Sequence, residues 1–229
     1  MTIRICVSIL PKNIPEALRL IEKAEDAHTD FIEVRLDCLE NQRELADLTA
    51  HGKTPKIATN RPRSCQGKLS GTETEQHQIL LNAAKSGFEY IDVELFHPKL
   101  KGIVKELNSI GVKPIVSFHD SNASLNIPEL NSILEREISS GADVCKIVTT
   151  AKLIEDNLTI LNFTSTTSSK TKLVCFCMGE LGKVSRLLSP LFGGFFTFAS
   201  LERRSETAPG QMTIQEMRTA YELLGLKRK

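Results

Sequence analysis

Apolar runs rich in β-branched residues recur along the chain at a steady interval. They are RICVSIL (4–10), FIEVRLD (31–37), PKIATN (55–60), YIDVEL (90–95), KPIVSFHD (113–120), DVCKIVTT (143–150), KLVCFCMG (172–179) and FFTFASL (195–201). Runs of this length and composition predict strands. Between them the apolar period lengthens to that of a helix. IPEALRLIEKAEDA puts Ile14, Leu18, Ile21 and Ala24 on one face, and KLKGIVKELNSIG stops at Gly111. TIQEMRTAYELLGL offers Thr213 as N-cap with Glu216 three residues on. The low-complexity stretch TSTTSSKT (164–171) predicts the loop before the seventh strand. Strand and helix alternating eight times predict an α/β fold, a parallel (β/α)8 TIM barrel. The 229 residues are a compact version of a fold that typically takes ~250. An open doubly wound sheet is the rival, but no glycine-rich phosphate loop follows the first strand. No linker or composition break divides the chain, so residues 1–229 read as one domain.

Several strands carry charge where a buried strand should be apolar. Side chains alternate faces along a strand. Glu33, Arg35 and Asp37 therefore share a face opposite Ile32, Val34 and Leu36, and Asp92 and Glu94 oppose Ile91, Val93 and Leu95. Ser117 and His119 oppose Val116 and Phe118, and Lys146 shares its face with Val144 and Val148. The helix layer of a barrel needs the apolar face, so the charged one points inward, near the carboxyl ends of the strands where active sites of this fold lie. Each group has a structural reading and a chemical one. Glu33 and Arg35 can form an ion pair plugging the barrel, Asp92 and Glu94 can hold neighbouring bases, and His119 can be a satisfied interior histidine. Lys146 is either kept charged by a partner or desolvated beside other cations into a nucleophile. Strands five and six are neighbours about 5 Å apart, which lets His119 and Lys146 face one substrate. An imine-forming amine beside a near-neutral base suits proton abstraction next to a carbonyl.

Composition narrows the partners. A net charge of +1, from 29 basic and 28 acidic residues, gives no field favouring nucleic acid or an anionic membrane. No apolar run reaches membrane-spanning length and the N-terminus reads as a strand, so a soluble, cytoplasmic protein is expected. The six cysteines lack paired CxxC spacing and are expected to be reduced thiols. Five histidines without an HxH pair on a strand argue against a metal-dependent hydrolase.

Taken together, EVRLD, TNR, SFHD, CKIV, MGELGKVSRLLSPLFGGFFTFA and TAPGQ resemble the type I 3-dehydroquinate dehydratases, in the same order and from about residue 4 to 220. The resemblance implies a (β/α)8 homodimer of the shikimate pathway that converts 3-dehydroquinate to 3-dehydroshikimate and water, with no cofactor and no metal. It implies that Lys146 forms an imine with the substrate ketone and that His119 moves the protons of a syn elimination. Arg186 would clamp the substrate carboxylate; by pattern alone it reads as an exposed helix arginine. Ser8, Glu33, Arg35, Arg61, Met178, Phe198, Thr207 and Gln211 match the remaining substrate-contact positions, with Thr207 where serine is usual. Pro209–Gly210 would shape the loop that carries Gln211, although the same pair also suits a simple turn.

One departure concerns the loop after the third strand, where the family commonly has Glu-Gly-Gly and this chain has Gln66-Gly67. That leaves the acidic partner of His119 open. The alternative activity is a class I, Schiff-base aldolase or transaldolase, which explains Lys146 but not Arg186 with TAPGQ. A catalytically silent barrel used for binding is the reading from another class.

Overall fold

Among the described residues, 3–65, 67–69 and 71–226 of a computed structural model, eight strands form one parallel sheet ringed by helices. The strands are β1 (Ile5–Ile9), β2 (Phe31–Arg35), β3 (Lys56–Thr59), β4 (Tyr90–Glu94), β5 (Lys113–His119), β6 (Val144–Thr150), β7 (Lys172–Met178) and β8 (Thr197–Ser200). Each lies inside one of the eight apolar runs. The helices are α1 (Ile14–Asp26), α2 (Leu45–Ala50), α3 (Glu73–Lys85), α4 (Leu100–Ser109), α5 (Ile127–Ser139), α6 (Asp156–Thr167), α7 (Lys183–Leu188) and α8 (Ile214–Leu223).

The ladder runs β7-β6-β5-β4-β3-β2-β1-β8. At the seam between β7 and β8 the Phe195 N–H donates to the Leu173 carbonyl at 2.7 Å, and the Phe176 ring meets Phe198 edge-on at 6.2 Å. The barrel is thus nearly closed, as the eightfold alternation predicts.

Two apolar layers hold the ring. Outside it, one strand face packs under the helices through residues such as Val7, Val34, Ile91, Val116 and Ile147. Inside, Cys6, Phe31, Ile57, Tyr90, Ile115, Val144, Val174 and Phe196 fill the barrel. Four helix starts, those of α1, α3, α5 and α8, carry side-chain caps. Thr213 and Glu216 form a reciprocal capping box on α8, as do Thr72 with Glu75 on α3 and Asn126 with Glu129 on α5.

One element departs from expectation. The first half of TSTTSSKT is not loop: α6 runs to Thr167. The Thr164 and Thr167 hydroxyls donate back to the carbonyls of Ile160 and Phe163 at 2.8 and 2.5 Å. Their polar atoms are satisfied within the helix, so both side chains can be buried and continue its packed stripe.

Candidate active site

The charged strand faces meet inside the barrel as one connected network. Lys146 on β6 is 4% exposed, and its Nζ donates to Asp92 Oδ2 on β4 at 2.9 Å. Glu33 Oε1 on β2 lies 3.7 Å from the same nitrogen, and the Phe198 ring centroid of β8 lies 4.4 Å away. The direct partners of Lys146 are therefore carboxylates and an aromatic face, not the guanidinium groups that a cation-flanked lysine would require. Glu33 is anchored from both sides: Ser8 Oγ donates to Oε2 at 2.5 Å and Thr59 Oγ1 to Oε1 at 2.8 Å. Burial would raise its carboxyl, but Lys146 and Arg35 outweigh that and lower it.

Arg61, just past β3, is the strut of the network. Its Nη2 donates to Asp92 at 2.9 Å, and its Nη1 donates to Glu94 and, at 3.0 Å, to Ser117 Oγ. Burial pushes the Asp92 carboxyl up, yet Arg61 and Lys146 overcome this and hold it well below the usual carboxylate range. Arg35 does not pair with Glu33. Its Nε and Nη2 form a fork on Asp37 at 2.8 and 2.7 Å, and Asp37 also accepts the backbone N–H groups of Arg61 and Lys68. Asp37 is reached because the chain turns sharply after β2 into a short 3-10 segment, Leu36–Cys38.

His119 ends β5. In the β5–β6 register it pairs with Val148, two residues beyond Lys146, which itself pairs with Ser117. The imidazole thus stands roughly 7 Å further along the strand direction than the lysine backbone. Its Nδ1 lies 3.6 Å from Glu94 Oε2 and 3.5 Å from Arg61 Nη1. Burial and Arg61 lower the imidazole pKa, with Glu94 acting the other way. Glu94 is itself lowered to about 2: burial raises it, and Arg61 and His119 more than compensate. Glu94 is thus an acidic neighbour of His119 that comes from a strand. Gln66, the loop residue that raised the question, lies outside the described residues.

Arg186 on α7 is not an exposed helix arginine. It is 1% exposed, its guanidinium stacks 4.4 Å from the Phe176 ring centroid, and its Nε and Nη2 have no hydrogen-bond partner. Burial lowers its pKa to about 10. A buried guanidinium with unused donors is expensive unless an anion arrives to meet it.

The loop after β8 closes this side. Gly210 has φ +72°, and a Cβ there would lie 2.0 Å from the Gly179 carbonyl oxygen. Only glycine lets the loop approach so closely, and the Gly179 N–H donates to Pro209 O at 3.0 Å. The loop latches onto the turn after β7, and Gln211 Oε1 accepts from the Thr207 backbone N–H at 2.7 Å. Ser8, Glu33, Arg35, Arg61, His119, Lys146, Met178, Arg186, Phe198, Thr207 and Gln211 all line one pocket. Cys65, Ser121, Val148, Phe176 and Ala208 line it as well and were not anticipated. Val148 and Phe176 share strand faces with Lys146 and Met178, a signal that period-2 alternation carries. For Cys65 and Ser121, in loops, no such signal exists.

Sequence comparison places the chain among known enzymes. A type I 3-dehydroquinase family model matches residues 5–228. The 3-dehydroquinate dehydratase of Methanococcus maripaludis strain C6 is 34% identical over 222 residues, covering 96% of this chain and 99% of that protein. That of Dehalococcoides mccartyi strain BAV1 is 37% identical over 209 residues, 91% and 90% of the two chains. The crystal structure of the type I 3-dehydroquinate dehydratase of Clostridium difficile, bearing covalently modified comenic acid, superposes with a TM-score of 0.88 at 28% identity. It covers 97% of this chain and 92% of its own. The aldolase alternative is not favoured by a match of this extent. The chain belongs to the type I 3-dehydroquinases, hydro-lyases that dehydrate 3-dehydroquinate by the Schiff-base route.

Proposed function

We propose that Lys146 is the imine-forming residue and His119 the proton-transfer residue of a 3-dehydroquinate dehydratase built as a single catalytic barrel, residues 1–229. The observation that carries this reading is that both line one pocket with Arg186, whose guanidinium has unused donors. The neutral Lys146 amine attacks the substrate ketone, and loss of water gives a protonated imine. Asp92, Glu33 and the Phe198 face, which surround Nζ, stabilise that positive charge as they do the ammonium. The imine draws electrons from the adjacent C–H bond, so His119 can remove that proton. The electron pair forms the new double bond, and His119 returns a proton to the departing hydroxyl, which leaves as water. Hydrolysis then frees 3-dehydroshikimate and Lys146. No cofactor is needed because the imine is the electron sink.

Arg186 receives the substrate carboxylate in a bidentate fork. Glu33, with Ser8 beside it, accepts from a substrate hydroxyl, and Arg35 Nη1, which Asp37 does not use, donates to another. Gln211, oriented by Thr207, reaches over the substrate, and Met178 and Phe198 contact its ring. Arg61 fixes Asp92 and Glu94 behind the reacting groups.

In this reading the enzyme works in the cytoplasm as a homodimer. A surface suited to pairing comes from exposed Leu153, Ile154, Leu158, Leu181 and Val184. Asn157 brings their two loops together, with Nδ2 donating to the Ile154 and Leu181 carbonyls at 2.9 Å. Reduction with borohydride in the presence of 3-dehydroquinate should attach the reduced ligand to the peptide bearing Lys146. Lys146→Ala and Lys146→Arg should both fold and lose nearly all turnover, since a guanidinium keeps the charge but forms no imine. An adduct on Lys113 or Lys172, or substantial activity in Lys146→Arg, would overturn the assignment.

A further inference from the structure

We propose that Cys65 is a covalent modification site within the substrate pocket, open to alkylating electrophiles that carry a carboxylate. The inference rests on the reading of Arg186 as the carboxylate clamp. Cys65 ends a short 3-10 turn, Arg63–Cys65, between β3 and α3, next to the point where the loop departs from the family's Glu-Gly-Gly pattern. It is half-buried and lines the pocket with Lys146, His119 and Arg186. The other thiols are placed differently. Cys6, Cys145, Cys175 and Cys177 are buried within the strands, and burial pushes all four thiols up. Cys38 is half-buried but does not line the pocket.

The second observation is Arg186 itself. It is 1% exposed, with Nε and Nη2 lacking partners, and it lines the same pocket. Of the cations on that lining, Arg35, Arg61 and Lys146 are already paired with Asp37, Asp92, Glu94 and Glu33, so an entering carboxylate is received by the unused donors of Arg186. A reactive carbon tethered to that carboxylate is then held in the same pocket that Cys65 lines, which raises its effective concentration there. The step balances without a further reactant. The Cys65 sulfur attacks the carbon bearing a halide, the C–S bond forms as the carbon–halogen bond breaks, the halide departs, and the thiol proton goes to water. The product adds a fixed carboxylate inside the substrate pocket, where it competes for Arg186 and excludes substrate.

The test compares iodoacetate with iodoacetamide on the full-length enzyme. Alkylation is followed by peptide mass spectrometry and by residual activity, with Cys38 as the internal reference. Cys65 should react about tenfold or more faster with iodoacetate than with iodoacetamide after normalisation to Cys38, because only the former engages Arg186. Saturating 3-dehydroquinate should slow this labelling, and Cys65→Ser or Cys65→Ala should lose no further activity on treatment. Equal normalised rates, no protection by substrate, or inactivation that persists in both variants overturns the proposal. Borohydride trapping on the same preparation separates the two readings. Trapping at Lys146 without preferential Cys65 labelling rejects this inference alone, and labelling without trapping rejects the Lys146 assignment alone.

Discussion

Replacing Arg186 by methionine should make the protein more stable and its substrate binding much weaker. The guanidinium is 1% exposed with two nitrogens unpartnered, and burial depresses its pKa from the ordinary arginine value to about 10. That depression corresponds to roughly 3 kcal/mol of penalty for holding the charge. The sign follows from proton binding. At pH 7 the side chain is protonated in both folded and unfolded chains, so the penalty is fully present, and it is relieved only as the pH rises through about 10. The Phe176 ring, 4.4 Å away, returns about 1–2 kcal/mol through the cation–π contact. Methionine fills similar space and keeps a favourable sulfur–aromatic contact. The net gain is therefore about 1–2 kcal/mol, or roughly 2–8 °C in Tm for a domain of this size. Loss of the carboxylate clamp should cost about 2–5 kcal/mol in binding, a rise in KM of roughly 30-fold to several thousandfold. Borohydride trapping should still occur at high substrate concentration, since Lys146 is intact. Thermal unfolding at pH 7 and steady-state kinetics decide the matter. An unchanged or lower Tm together with KM within about threefold of the parent would refute the reasoning.

Two other perturbations test the network. Glu94→Gln removes the acid that raises the His119 pKa against burial and Arg61. The acidic limb of the kcat/KM profile should therefore move to lower pH while the plateau rate falls; a profile that stays in place would show that Glu94 does not act on His119. Glu137, on α5 behind Lys146, is fully buried, and its carboxyl rests against the Lys146 backbone and Cys145 without a hydrogen bond of normal geometry. Burial, the main cause, raises its pKa well above 4.5, so the folded chain binds more protons than the unfolded one above that pH. Its contribution is most favourable below the unfolded pKa and is lost as pH rises toward the folded value. Glu137→Gln should gain stability over the parent with increasing pH, by up to about 1.4 kcal/mol per pH unit. Denaturant titrations at several pH values between 5 and 8 read this directly, and a constant difference would count against it.

What the sequence determined by itself was everything that local covalent geometry controls. Strand positions and interior-facing sets, such as Glu33 with Arg35 and Val144 with Lys146, follow from the two-residue alternation of side chains, which needs no knowledge of neighbours. The Thr213–Glu216 capping box is similarly contained within four residues. The motif order was enough to identify the family. Tertiary structure decided the pairings. Arg35 goes to Asp37 because the chain turns after β2, and Lys146 reaches Asp92 across β5 because the barrel's stagger brings β4 and β6 side chains together at one level. The acid beside His119 comes from β4 for the same reason. Arg186 lies on a six-residue helix whose sequence is too short to reveal which face is covered, and only its packing over Phe176 buries it. Partners across a barrel depend on inter-strand register and shear, quantities that belong to the closed sheet and that no single strand's residues encode.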